Sequence, residues 1–148
     1  MEKQDFTTTI LVDKAPAEVF NAINQPQNWW SGEFTGSAEK LNDEFTYRYK
    51  DLHYSKQRVT EMISNKKVVW LVTESQLNFI EDKTEWNGTR IIFEIAEKGD
   101  QTELRFTHEG LVPQVECYDA CEGAWTDIIQ QSLFTFIITG ERQSIVLD

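Results

Sequence analysis

Apolar and polar residues alternate with a period of two along much of the chain, the spacing of half-buried strands. Phe6-Thr-Thr-Thr-Ile-Leu-Val12 reads as a strand with Phe6, Ile10 and Val12 on one side. Phe45, Tyr47 and Tyr49 alternate with Thr46, Arg48 and Lys50. Gln57 to Ile63 and Lys67 to Thr73 are two strands joined by a turn at Ser64-Asn65-Lys66. The run Val68-Val-Trp-Leu-Val72 is continuously apolar, so the pattern does not choose its inward face. Thr89 to Ile95 alternates again, with Ile91, Phe93 and Ile95 on one side, and a turn follows at Lys98-Gly99-Asp100-Gln101. Thr102, Leu104, Phe106 and His108 then alternate with Glu103, Arg105, Thr107 and Glu109. Strands at hairpin spacing imply an antiparallel meander with one buried and one polar face.

Helical spacing interrupts this pattern twice. Pro16 suits a first helical turn, Glu18 favours the helix dipole there, and Val19, Phe20 and Ile23 form a short stripe. Pro26 ends that helix or starts the next, and Trp29-Trp30-Ser31-Gly32 makes an aromatic corner before more strand. After Gly110-Leu-Val-Pro113 one long helix is predicted, roughly Gln114 to Thr139, about 39 Å long at 1.5 Å per residue. Its apolar face carries Cys117, Cys121, Trp125, Ile128, Ile129, Ser132 and Phe136, with Glu116, Asp119, Gly123, Asp127, Gln130 and Gln131 opposite. Phe134 and Ile138 break the polar face, as a helix end buried all round or as a self-association patch. Gly140 is the expected stop. The fold class is therefore α+β: a curved antiparallel sheet of six or seven strands, two short helices after the first strand, and a long C-terminal helix on the apolar face.

Length and charge narrow the function. The 148 residues fit one domain, with 25 acidic against 14 basic side chains and a net charge of −11. Such a surface repels phosphate backbones and anionic membranes, so neither nucleic acid nor a membrane is an expected partner. The polar start Met1-Glu2-Lys3-Gln4-Asp5 begins no signal peptide, no apolar run is long enough to span a bilayer, and a cytoplasmic location is expected. Two Cys four residues apart form no disulfide framework. The aromatics are prominent: nine Phe, five Trp and four Tyr. They fill a core or line a cavity, and the space between helix and sheet is the natural place for a ligand.

Few residues carry candidate chemistry. His108 shares the inward parity of Leu104 and Phe106. It is either a hydrogen-bonded structural histidine or a polar handle that orients a ligand. Cys117 and Cys121 share one helix face and read as two small apolar residues; with His108 they make three soft ligands and no fourth, so no metal is expected. His108-Glu109 lacks the second His of a zinc-protease motif, and the seven Gly are scattered singly rather than forming a phosphate loop, so no cofactor is expected. Arg48, Arg90 and Arg105 fall on the outer face, where they pair with Glu94, Glu103 and Glu109 of neighbouring strands. Tyr47 and Tyr49 point inward with His108. An apolar pocket with such a polar cluster suits a small hydrophobic or amphiphilic ligand, and needs a void of about 300 Å³.

Ala15-Pro16-Ala17-Glu18-Val19-Phe20-Asn21-Ala22-Ile23 resembles the opening helix of the START-like (SRPBCC, helix-grip) superfamily, and Trp29-Trp30 its following aromatic. Thr102-Glu-Leu-Arg-Phe-Thr-His-Glu-Gly-Leu111 is similar to the last strand of the branch related to the heat-shock protein 90 ATPase activator, and Gly123-Ala124-Trp125 to the start of its sheet-facing helix. The resemblance implies a single domain over residues 1–148, a seven-stranded sheet gripping the last helix, and a hydrophobic cavity between them. Where the family usually has Gly in turns, Leu41-Asn42-Asp43-Glu44 and Asp51-Leu52-His53 have Asn and Asp, which tolerate left-handed backbone. The expected cavity has a sheet wall of Phe45, Tyr47, Tyr49, Trp70, Phe93, Phe106 and His108 and a helix wall of Cys117, Cys121, Trp125, Ile129 and Leu133. Binding of a hydrophobic ligand is the leading expectation, by a monomer or a homodimer. The alternatives are an enzyme of the polyketide cyclase/dehydratase type, with His108 or Tyr47 as general acid or base, and a chaperone-linked interaction module.

Overall fold

The computed structural model describes residues 5–140 except 31, 79, 82, 114 and 117. Seven strands form one antiparallel sheet: β1 (Phe6–Val12), β2 (Glu33–Gly36), β3 (Glu44–Tyr49), β4 (His53–Ile63), β5 (Lys67–Leu77), β6 (Arg90–Lys98) and β7 (Gln101–Glu109), in the order β1-β7-β6-β5-β4-β3-β2. The first strand closes against the last, with Phe6 opposite His108 and Val12 opposite Thr102. Helix α1 (Pro16–Ile23) starts on Pro16 and buries Val19, Phe20, Ala22 and Ile23, and a single 3-10 turn follows at Pro26–Asn28.

The expected inward residues are inward. Phe45, Tyr47, Ile91, Phe93, Leu104, Phe106 and His108 are buried, and on β5 the face left open by the pattern is Val68, Trp70 and Val72. Trp125 and Leu104 lie in the same core, as the gripped-helix arrangement requires. On the outer face Arg90 pairs with Glu109 at 2.6 Å, and the register sets Arg105 opposite Glu94. Arg48 lies instead over the Tyr54 ring, 5.1 Å from its centroid, because Tyr54 is its partner across β4.

Two strand boundaries differ from the sequence reading. Strand β4 begins at His53, four residues before Gln57, and β5 runs to Leu77 rather than Thr73. The inward residues added are His53 and Ser55 on β4 and Ser75 and Leu77 on β5; all but Leu77 are polar, which removes the hydrophobic alternation that marks a strand. Consequently the turn before β4 is tighter, and its left-handed residue is Lys50 (φ 50°) rather than an Asn or Asp, while Asn42 (φ 72°) serves the earlier turn as expected.

Among the described residues the terminal helix spans 118–139, 22 residues, with Val115 and Glu116 in a turn before it; Gln114 and Cys117 lie outside the described residues. It is α-helical over Tyr118–Asp127 and Phe134–Thr139, with a π-helical segment over Ile128–Leu133 between them. The wider i→i+5 spacing rotates the stripe. The buried face reads Cys121, Trp125, Ile128, Ile129, Ser132, Leu133 and Ile137, so Ile137 takes the place expected for Phe136. Phe134, Phe136 and Ile138 are half-buried and packed against the core. The Ser132 hydroxyl donates to the Trp29 carbonyl, tying the π segment to the aromatic corner.

Candidate functional site

The aromatic corner organises the interior. Trp29 is anchored by its indole N–H, which donates to the Ala22 carbonyl at the end of α1 (2.8 Å). It stacks between Trp30 and Trp70, with ring centroids 6.4 and 6.2 Å away. Trp30 stacks on Tyr47 at 4.0 Å and leans on Trp125 at 4.9 Å. Trp125 in turn packs 4.5 Å from Phe106 and lies parallel to Trp86, 6.0 Å away. Large flat rings with few rotamers fix each other, so whatever space they leave is well defined.

They leave a cavity of about 180 Å³, lined by Trp30, Tyr47, Tyr49, Leu52, His53, Trp86, Ala120, Cys121, Ala124, Trp125 and Ile128. The void exists because the first turns of the terminal helix present small side chains, Ala120, Cys121 and Ala124, to the rings of Trp30, Tyr47 and Trp86. Its volume is smaller than the 300 Å³ expected from the sequence. An engineered apolar cavity of about 150 Å³ accepts benzene in another protein, so this space matches one ring rather than a fused polycycle.

Of the twelve residues expected from sequence, Tyr47, Tyr49, Cys121 and Trp125 line the cavity. Phe45, Trp70, Phe93, Phe106, His108, Ile129 and Leu133 are fully buried in the core behind it, and Cys117 lies outside the described residues. Sequence reasoning missed His53, Leu52 and Trp86, which sit in or beside loops without periodicity, and the small helix residues Ala120 and Ala124. The parity of His53, Ser55, Gln57 and Val59 was the available signal for His53.

The two histidines of the chain both pack edge-to-face against Trp86, each ring centroid 4.6 Å from it. His108 is closed off. Trp125 Nε1–H donates to its Nδ1 (3.1 Å), so its proton is on Nε2 and goes to Thr89 Oγ1 (2.8 Å), whose hydroxyl donates to the Trp86 carbonyl (2.7 Å). Both ring nitrogens are used, and burial pushes the imidazole down to about 3, with the nearby His53 acting in the same direction. That is the arrangement of the hydrogen-bonded structural histidine of the sequence reading, and His108 is not among the residues that line the cavity.

His53 is the histidine that faces the cavity. Its ring meets Tyr47 at 5.0 Å and Trp30 at 6.2 Å, and its Nε2 lies 3.2 Å from Ser55 Oγ. Burial pushes it, too, down to about 3, so it is neutral at pH 7. Burial also holds the Tyr47 phenol above its ordinary value. Among the described residues, no charged side chain lines the cavity. The described residues hold no cluster of three or more potential metal ligands, and none of their helices is long and apolar enough to cross a membrane.

The family described as "Activator of Hsp90 ATPase homolog 1-like protein" matches residues 13–135. A search of curated proteins gives no match. Among solved structures, the Aha1 dimer from Colwellia psychrerythraea superposes with a TM-score of 0.74 at 22% identity, covering 93% of this chain and 98% of the other. The protein SSP2350 from Staphylococcus saprophyticus gives 0.68 at 16% identity, covering 98% and 100%. CalU16 from Micromonospora echinospora gives 0.64 at 14% identity, covering 93% and 78%. At these identities the likeness is one of fold.

Proposed function

The chain belongs to the activator of Hsp90 ATPase homolog 1-like family, and from that premise we propose that it acts as a single domain that binds a small, largely apolar ligand about one ring in size. The observation that carries this reading is the cavity itself: small helix residues opposite a wall of stacked aromatics, at a place where core packing would otherwise be continuous. The apolar walls supply affinity by removing ligand surface from water, and His53 and Tyr47 supply polar contacts at one side. Any catalytic use of the same space would fall to the lining groups His53, Tyr47, Tyr49 and Cys121, since the nitrogens of His108 are occupied within the core.

Three cavity residues are tryptophans, so binding is readable in intrinsic fluorescence. Titration with toluene is expected to give a saturable change that Ala124→Leu, which fills the void from the helix side, abolishes without loss of fold. A linear, non-saturating response identical in both proteins would rule the reading out.

The family description favours a second reading, contact with a chaperone of the Hsp90 class. The net charge of −11 would direct such a contact to a basic surface.

A further inference from the structure

The inward side of β4 carries an uninterrupted polar track, His53, Ser55 and Gln57, inside an otherwise aromatic core. Ser55 and Gln57 are fully buried. Gln57 Nε2 donates to Ser55 Oγ at 3.1 Å, and Ser55 Oγ lies 3.2 Å from His53 Nε2. The Ser55 hydroxyl has one proton and, among the described residues, one acceptor within reach, His53 Nε2. A buried hydroxyl left without an acceptor is costly, so the track runs in one direction: Gln57 to Ser55 to His53.

The amide orientation of Gln57 supports that direction. Its Oε1 is buried without a partner, and so is the indole N–H of Trp70. Gln57 lies opposite Phe45, whose ring centroid is 5.0 Å from that of Trp70. Turned over, the amide would add N–H donors to a region where one donor already lacks an acceptor.

A neutral imidazole that accepts at Nε2 carries its proton on Nδ1. Among the described residues nothing accepts from that nitrogen, and the ring lines the cavity. We propose that the Gln57–Ser55–His53 track fixes His53 as an N–H donor aimed into the cavity, so that the ligand is a neutral one-ring molecule carrying a hydrogen-bond acceptor such as a carbonyl. The ligand class rests on the cavity reading above; the tautomer does not. Neutrality follows from the wall, whose described residues include no charged side chain to balance a buried ion. The two histidines are then opposite tautomers: Nδ1–H at His53 and Nε2–H at His108.

Long-range ¹H–¹⁵N correlation spectra of the free protein distinguish the two tautomers directly. The expected result is one Nδ1–H and one Nε2–H pattern, the first assigned to His53 by its loss in His53→Phe. Ser55→Ala is expected to turn the His53 pattern into a mixture while leaving that of His108 unchanged. Titration with acetophenone and α-methylstyrene, of nearly the same shape but with a methylene in place of the carbonyl oxygen, then tests the ligand class. The ratio of the acetophenone to the α-methylstyrene dissociation constant is expected to rise about fivefold in His53→Phe, the worth of one hydrogen bond. A smaller rise is expected in Ser55→Ala, which carries the comparison if His53→Phe does not fold. An Nε2–H pattern at His53 would reverse the track and overturn the inference. Binding of both probes with an unchanged ratio would overturn the donor role and leave the cavity reading standing. Failure of both probes to bind would remove the cavity reading and the ligand class with it.

Discussion

Lowering the pH from 7 to 5 should destabilise this protein through its two histidines. Burial holds both imidazoles near a pKa of about 3 in the folded chain, against 6.5 for an exposed histidine. Both are therefore neutral when folded, and between pH 6.5 and 3 the unfolded chain binds more protons. Stability is fully present above pH 6.5 and is lost as the pH falls through that window. Each histidine contributes a loss of about 1.4 kcal/mol per pH unit, so at pH 5 the pair has removed about 4 kcal/mol. That is a large share of the roughly 5–15 kcal/mol by which domains of this kind are stable. Urea unfolding followed by tryptophan fluorescence at half-unit steps from pH 7.5 to 5 measures the effect. The unfolding free energy should be flat above pH 7 and fall with a slope approaching 2.7 kcal/mol per unit near pH 5, halved in His53→Phe. A slope of less than one proton between pH 6 and 5 would refute the claim that both rings are held neutral in the folded chain.

Two further predictions follow from particular contacts. Trp125→Phe keeps an aromatic ring in the core but removes the donor to His108 Nδ1; leaving that buried acceptor unpaired, with the lost indole volume, should cost about 2–4 kcal/mol in urea unfolding, and a loss below about 0.5 kcal/mol would show that the bond is not stabilising. If the chain contacts a chaperone of the Hsp90 class, pull-down with the purified chaperone should succeed at about 50 mM salt and weaken strongly by about 500 mM, where surface charges are screened; no capture at low salt would dispose of that reading.

The strands whose inward residues are apolar were legible. β1, β3, β6 and β7 announce themselves because Phe, Ile, Leu and Tyr fall on alternate positions. The same rule hid the first four residues of β4, since His53 and Ser55 face inward and are polar. The register of the terminal helix was legible as far as Ser132 and then shifted, with Ile137 buried in place of Phe136, because no periodicity at 100° per residue anticipates a π segment. The cavity followed the same division. Tyr47 and Trp125 were identified from parity and helix face, whereas Trp86 reaches the site from the connection between β5 and β6, where no repeat marks an inward residue. Ala120 and Ala124 shape the void by being small, and smallness matters only once the opposing rings are in place.

The two histidines show why polar groups persist in such a core. A buried imidazole costs stability unless its nitrogens are paired. His108 meets that condition within the protein, and in doing so it joins Trp125 on the helix to Thr89 and the Trp86 carbonyl on the β5–β6 connection. Its hydrogen bonds thus hold two of the cavity walls at a fixed separation, with the rings of Trp86 and Trp125 parallel and 6.0 Å apart. His53, which also packs against Trp86, is hydrogen-bonded at Nε2 to Ser55, and its ring lines the cavity. A position selected only for packing would favour an apolar ring there, because Phe would meet Trp30, Tyr47 and Trp86 without desolvating a donor. On the proposed reading, the nitrogen that finds no acceptor among the described residues would be met by the ligand, and the closed circuit at His108 would hold the cavity in shape for it.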